Sequence, residues 1–299
     1  MRRFSLSSHI LSLICLIFLT SLCLGENILK TETPRKGPVA PIRREVPGTR
    51  YSLSTGQLFI PDFYRVSLNG NVTLILFFHG ASWCVEQSFY DAHRNAILVS
   101  ISLKDYYTAY QDTTSFQGLV DEIKNSIETL KGTQNLNIDK IYLTSFSGGY
   151  PVIRSILNHS PQDERIQGII LADSLYAGFE GTTRSIETLR KDQMEPFLRF
   201  SEEAAKGKKE FWFTQLYPPR PEHRNNTTTL TAEYLITHLK LKKEKRNHRN
   251  SLGMILAYSA ERRNAHILGY YGMTTQDHFN HLYNLSEYFN TLKIPPAHP

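Results

Sequence analysis

The sequence predicts an α/β domain: a mostly parallel central sheet with helices on both faces. Three observations carry this. Short, almost unbroken apolar runs recur along the chain, among them Val72 to Phe78, Ile97 to Leu103 and Ile166 to Ala172, as strands covered on both faces require. Between them apolar residues recur at spacings of three and four, the period of a helix packed on one side. The two patterns alternate, which implies parallel strands joined by right-handed crossovers.

Taken in order, the first predicted strand is Val72 to Phe78, which ends in His79-Gly80. Ile97 to Leu103, Lys140 to Thr144, Ile166 to Ala172 and Phe211 to Tyr217 follow. Met254 to Tyr258 and His266 to Tyr271 are strand-like too, and the sequence leaves their order in the sheet open. The clearest helix carries Phe116, Leu119, Val120, Ile123, Ile127 and Leu130 on one stripe, with Ser115 as its cap and Gly132 as its stop. Val152, Ile153, Ile156 and Leu157 mark a second, and Leu282, Leu285, Tyr288, Phe289 and Leu292 a final one. Residues 177–209 are charged, sparsely apolar and mostly helical in pattern; lying between two strands, they read as a cap inserted into the domain.

Residues 1–25 combine Arg2 and Arg3 with an apolar run from Ile10 to Leu24 and a small residue, Gly25. That is the pattern of a secretory signal, and it predicts a secreted or periplasmic protein. The apolar run is short for an uncleaved span. Pro34, Pro38, Pro41 and Pro47 among basic residues make 26–50 an extended leader, leaving 51–299 as the domain. Two of the three cysteines fall in the signal, so Cys84 remains alone and no internal disulfide staples the mature chain. Five glycosylation triplets, at Asn71, Asn158, Asn225, Asn226 and Asn284, matter only in a host that glycosylates.

The formal charge of +6 is concentrated. Without Arg2 and Arg3 it is +4, and residues 240–249, six basic residues against Glu244, hold +5 of that, leaving −1 elsewhere. A nearly neutral body argues against a nucleic-acid-binding face. The basic run reads as a solvated loop; its sharper reading is a weak contact with an anionic surface.

The chemistry points to Ile141-Tyr142-Leu143-Thr144-Ser145-Phe146-Ser147-Gly148-Gly149-Tyr150, followed by a helical stripe. A strand, a sharp turn of small residues around a serine, and a helix make a nucleophile elbow. The serine sits in a strained conformation there, and the residues two before and two after it, Ser145 and Gly149, must be small because they pack closely. Ser147 would then stand near the positive end of the following helix.

On this elbow and the His79-Gly80 turn the chain resembles the α/β-hydrolase family, over roughly Leu74 to the end. The resemblance implies an oxyanion hole made by the amide of Gly148 and that of Ala81 or Ser82, two donors aimed at the charge that develops on an attacked carbonyl. It implies the chain order serine, acid, histidine. His278, in the loop before the final helix, stands where the family places its base, with His281 and then His266 as alternatives. Asp173 follows the strand after the elbow unit, on the sheet edge where ligands bind. Some family members draw their acid from there. Most use the next strand, whose nearest acid in this chain is Glu222. Asp277, next to the base, is poorly placed to face it. His79 reads as a turn residue and Cys84 as a small buried filler. Trp83 and Tyr176 are candidate walls of a substrate pocket.

The expectation is therefore an exported serine hydrolase cleaving an acyl bond of a small-molecule or lipid substrate, a carboxylic ester before a thioester or amide. It needs no cofactor or metal: there is no His-Glu-x-x-His and no dinucleotide-binding glycine fingerprint. Two rivals stand beside it. One is a peptidase or amidase of the same fold, the other a non-catalytic binding protein on that scaffold, since fold alone does not decide activity. Substrate identity and oligomeric state are not legible in the sequence.

Overall fold

The computed structural model describes residues 41–102, 116–132, 134–217 and 228–297. The signal segment, most of the leader, Ser115 and Glu222 lie outside these residues. Chain contacts separate Met1–Lys36 from Gly37–Pro299, and the second unit contains everything described below.

Among the described residues ten strands form one sheet in the order β1-β2-β4-β3-β5-β6-β7-β10-β9-β8. The middle of it, β4 (Ile97–Ile101), β3 (Asn71–Phe78), β5 (Asn137–Phe146), β6 (Ile166–Ala172), β7 (Glu210–Tyr217) and β10 (Ala265–Tyr271), is parallel throughout. Antiparallel pairs close both sides: β1 (Gly48–Ser52) with β2 (Gln57–Pro61), and β8 (Lys243–Arg249) with β9 (Ile255–Arg262).

Strand alternation sorts the core into two layers. Leu74, Leu76 and Phe78 of β3 face one apolar cluster, while Ile75 and Phe77 face the other. The first cluster is completed by α2 (Phe116–Lys131), α3 (Tyr150–His159), α4 (Lys191–Ala205) and α5 (Thr228–His238). The second is completed by α1 (Ser82–Ala92), α6 (Thr275–Tyr283) and α7 (Leu285–Thr291). Phe77, Phe89 and Phe289 are fully buried there, each worth about 2–3 kcal/mol of transfer from water.

Several expectations change at this level. Residues 177–209 do not stand wholly over the sheet. Met194, Phe197, Leu198, Ala204 and Ala205 of α4 are buried in the first cluster, so α4 is the β6–β7 crossover, and cap-like chain is confined to 177–190. The basic run 240–249 is not a loop but largely the strand β8, exposed at all seven positions. Its Lys and Arg, with a register shift between Lys245 and His248, are features that protect a sheet edge from further pairing. The leader's last residues also join the domain: Val46 is buried and β1 starts at Gly48. Asn284 is fully buried, which removes it as a glycosylation site.

The C-terminal segment is fastened to the body by backbone pairing. Asn95 donates to the Pro295 carbonyl (2.9 Å) and Ala297 to that of His93 (2.9 Å). The Lys293 amide donates to the buried carboxylate of Glu210 (3.0 Å), which the Tyr142 hydroxyl also contacts (3.1 Å). Burial raises the Glu210 carboxyl above its usual value despite these donors.

Candidate active site

Where β5 ends, the chain turns abruptly. Ser147 has φ 49°, a left-handed conformation that costs a non-glycine residue about 1–3 kcal/mol and clusters at functional sites. A short 3-10 turn, Ser147–Gly149, leads into α3. A Cβ on Gly149 would lie 2.2 Å from the Phe78 carbonyl oxygen, so only glycine lets β3 pass this close. Ser145 is small for the same reason, yet its hydroxyl has a task as well. Ser174 donates to the Ser147 carbonyl (2.8 Å) and lies 2.8 Å from the Ser145 hydroxyl. Because Ser174 has one hydroxyl hydrogen and gives it to the carbonyl, Ser145 is the donor to Ser174. This chain ties the bend to the segment after β6.

Asp173 begins that segment, with φ 43° and its amide bonded to the Thr214 carbonyl (2.8 Å). Its carboxylate is almost wholly buried. Oδ2 accepts from His278 Nδ1 at 2.6 Å, and Oδ1 from the Thr228 hydroxyl at 2.5 Å and more weakly from the Leu216 amide at 3.4 Å. Burial by itself would raise this carboxyl. The hydrogen bond from His278, the neighbouring imidazoles of His281 and His278, and last the hydrogen bond from Thr228 together outweigh it and hold the group below the usual carboxylate value.

His278 lies in the first turns of α6, not in a loop as the sequence suggested. Thr274 and Asp277 form a reciprocal cap that starts the helix at Thr275. Asp277 is thereby committed to the amides of Met273 and Thr274. The imidazole of His278 stacks on Phe146, the residue before Ser147, with centroids 4.6 Å apart and planes at 28°. Its Nδ1 gives its hydrogen to Asp173, which leaves the lone pair on Nε2.

The other candidate bases lie elsewhere. His281, one turn further along α6, is fully buried, with Nδ1 2.8 Å from the Thr214 hydroxyl. Burial pushes it down to about 4. It has no exposed face from which to meet a substrate and is a core residue. His266 stacks on Trp212 (3.9 Å) near the start of β10, at the opposite end of the parallel strands. The alternative acid Glu222 lies outside the described residues.

The turn after β3 faces the elbow. His79 (φ 68°) donates its amide to the Ile101 carbonyl, and its ring Nε2 would lie 3.6 Å from a Cβ on Gly148. Its imidazole is lowered, by burial first and then by the charge of His278. Gly80 has φ 152°, and a Cβ there would meet the Phe77 ring at 2.9 Å. Ala81 caps α1 and Ser82 opens it, while Gly148 is the middle residue of the 3-10 turn. Amides in a first turn have no intrahelical acceptor, so these positions suit a pair of oxyanion donors.

Tyr176 packs against Tyr150 (5.5 Å), with its hydroxyl 3.4 Å from the Asp173 carbonyl. Trp83 packs on the apolar cluster that contains Phe146 and carries the Arg43 guanidinium 6.0 Å above its ring. Cys84 is buried and its thiol is pushed up to about 12, so it is no rival nucleophile. Tyr271, Met273 and Phe279, exposed despite their size, flank His278 along the chain. Thr228 and Ser174 are the site residues that sequence reasoning missed: nothing local marks a threonine 55 residues from its carboxylate. Among the described residues no cluster of His, Cys, Asp and Glu could hold a metal ion.

The parallel order β4-β3-β5-β6-β7-β10, flanked by the antiparallel β2, with a strained serine at the turn after β5, is an α/β-hydrolase fold. No family model and no curated protein matches the chain. Among solved structures it is similar to carboxyl esterase 2 from the fungus Tuber melanosporum, at 12% identity and TM-score 0.45 over 95% of this chain and 99% of that one. It is similar to EstE1, a thermostable carboxylesterase cloned from a metagenomic library, at 11% identity and TM-score 0.46 over 87% and 92%. A third is the siderophore hydrolase EstB from Aspergillus nidulans, at 12% identity and TM-score 0.43 over 86% and 99%.

Proposed function

We propose that the protein is an exported serine hydrolase that cleaves a carboxylic ester. Ser147 attacks the acyl carbon as His278 Nε2 takes its proton. Asp173 fixes the imidazole tautomer and stabilises the imidazolium. The amides of Gly148 and of Ala81 or Ser82 hold the oxyanion, and water then releases the acyl group from Ser147. The observation that supports this most is the 2.6 Å hydrogen bond from His278 to a buried Asp173, 105 residues apart, with the same imidazole stacked against the residue that precedes Ser147. A buried carboxylate joined to a histidine beside a strained serine has no need to exist for stability alone, because each element has a cost.

A fluorophosphonate probe tests the reading. The intact protein and Cys84→Ala should label, and Ser147→Ala should not. Labelling that persists in Ser147→Ala, or an unlabelled intact protein, would remove the nucleophile assignment and favour a binding protein on this scaffold.

A further inference from the structure

We propose that His281 is a positioning residue: its hydrogen bond to Thr214 sets the roll of α6, and with it the place where the His278 imidazole meets Asp173 and Ser147. This deepens the hydrolase reading and rests on it for the loss of turnover, though not for the geometry.

The helix that carries the base has little apolar grip. Three residues of α6 are buried, Asn280, His281 and Leu282, and Leu282 alone is apolar. Its neighbour α7 buries Leu285, Tyr288 and Phe289 within seven residues, and α1 buries Cys84, Val85, Phe89 and Ala92. Apolar contact is non-directional, so one leucine holds a helix down without fixing its roll. The Thr274–Asp277 cap fixes where α6 starts, not which side faces the sheet. A helix with its side chains has a radius of about 5–6 Å, and a roll of about 20° moves a group at that radius by about 2 Å. A misplacement of about 1 Å at a reacting atom can cost on the order of 100-fold in rate. Something directional has to hold α6, and two histidines do.

His278 and His281 project about 60° apart around the helix axis and about 4.5 Å apart along it. His278 bonds to Asp173 Oδ2 at 2.6 Å, and His281 Nδ1 lies 2.8 Å from the Thr214 hydroxyl. The two anchors are themselves joined. Ala172 pairs with Thr214 across β6 and β7, and the Asp173 amide donates to the Thr214 carbonyl at 2.8 Å. The result is a closed circuit from α6 to Asp173, on to Thr214, and back to α6 through His281. The His278 bond alone would not fix the roll, because its side chain can follow a turning backbone. Two bonds that diverge around the axis do fix it.

The surroundings of His281 agree with that single task. The ring is fully buried, Tyr270 packs edge-on against it (5.5 Å), and the Tyr288 hydroxyl lies 3.5 Å from the same Nδ1. Nε2 has no hydrogen-bond partner among the described residues. An imidazole buried with one nitrogen unpaired costs free energy that a leucine there would not. What the imidazole provides, and a leucine cannot, is direction at Nδ1.

Thr214 is fully buried, which makes its variants informative. Valine keeps the shape of threonine without the hydroxyl, whereas serine keeps the hydroxyl and gives up a buried methyl group. With 4-nitrophenyl acetate, Thr214→Val should lower kcat by about 10- to 100-fold with KM nearly unchanged, and Thr214→Ser should stay within about threefold. Combining Thr214→Val with His281→Leu replaces both partners by apolar groups, so the urea midpoint should recover while kcat stays low. If the bond served stability alone, kcat would follow the urea midpoint across the three variants, and that result overturns the proposal. A second readout needs no turnover. The His278 ring lies over Phe146, so its proton NMR signals, assigned by their loss in His278→Gln, shift when α6 rolls. They should move in Thr214→Val and hold in Thr214→Ser. Signals unmoved in Thr214→Val overturn the proposal and leave the hydrolase reading intact. Signals that move as expected, in a protein that hydrolyses no ester and takes no fluorophosphonate, support the role of His281 and defeat the hydrolase reading instead.

Discussion

Each end of the parallel strands holds a histidine stacked on an aromatic ring beside a carboxylate. At one end His278 lies on Phe146 and bonds to Asp173 at 2.6 Å. At the other His266 lies on Trp212, with Glu261 at 3.5 Å. The likeness stops there. Asp173 is 4% exposed and accepts from Thr228 and Leu216 as well, whereas Glu261 is 41% exposed and so is screened by water. Left-handed conformations occur at both ends, at Asn135 and Arg263 in the turns of the second, but at the first they fall on the candidate serine and acid themselves, Ser147 and Asp173, with His79 as well. A histidine and a carboxylate near each other are thus an ordinary surface pair. Burial of the acid, its extra donors and a strained serine are what distinguish a reactive arrangement.

Substituting the two acids should break the likeness most sharply. Asp173→Asn is expected to lower kcat for a soluble ester on the order of 10^4-fold, since the amide favours the wrong imidazole tautomer. Glu261→Gln should leave kcat within about twofold, as exposed pairs contribute little. Equal losses in the two variants would mean that the carboxylates act only through stability.

Acid should load both ends, since burial lowers the His266 imidazole as well, but the first more heavily. Burial moves the His281 imidazole beneath the site from 6.5 down to about 4. The folded state therefore binds fewer protons than the unfolded chain between those values, and stability is complete above about pH 6.5 and declines toward pH 4, by about 3 kcal/mol. Asp173, also held low, extends the decline into stronger acid. Urea midpoints measured across that interval should fall, and His281→Asn should flatten the fall. A profile already flat in the unaltered protein would contradict a neutral, buried His281.

The smallest effect concerns the elbow's support. Ser174→Ala removes the donor to the Ser147 carbonyl, worth about 1 kcal/mol, and should lower kcat by about five- to tenfold with KM nearly unchanged. A rise in KM alone would place Ser174 in substrate binding rather than in holding the bend.

The layers and the elbow were legible because their signals are local. Apolar runs mark doubly covered strands, and small residues around Ser147 mark the bend. What escaped notice lacked periodicity. The helix Ser82–Ala92 buries Glu86, Gln87 and Ser88 along with Val85 and Phe89, so no apolar stripe shows. Thr228–His238 buries Thr228, Thr229 and Thr231 for the same effect. The strand Lys243–Arg249 is an exposed edge with no inward face to betray it. A helix start at Thr275 is legible in Thr274 and Asp277, three residues apart, which can cap each other. The partners of Asp173 depend on elements that meet only in the folded chain.

The hooked C-terminal segment has a practical reach beyond its own residues. It grips the residues that immediately follow the helix that opens at the Ala81-Ser82 turn. Clipping the chain after Thr291 would expose the acid at the start of the seventh strand and loosen that helix from behind. If Ser147 is the nucleophile proposed above, a protease nick far from it would then lower turnover without touching it.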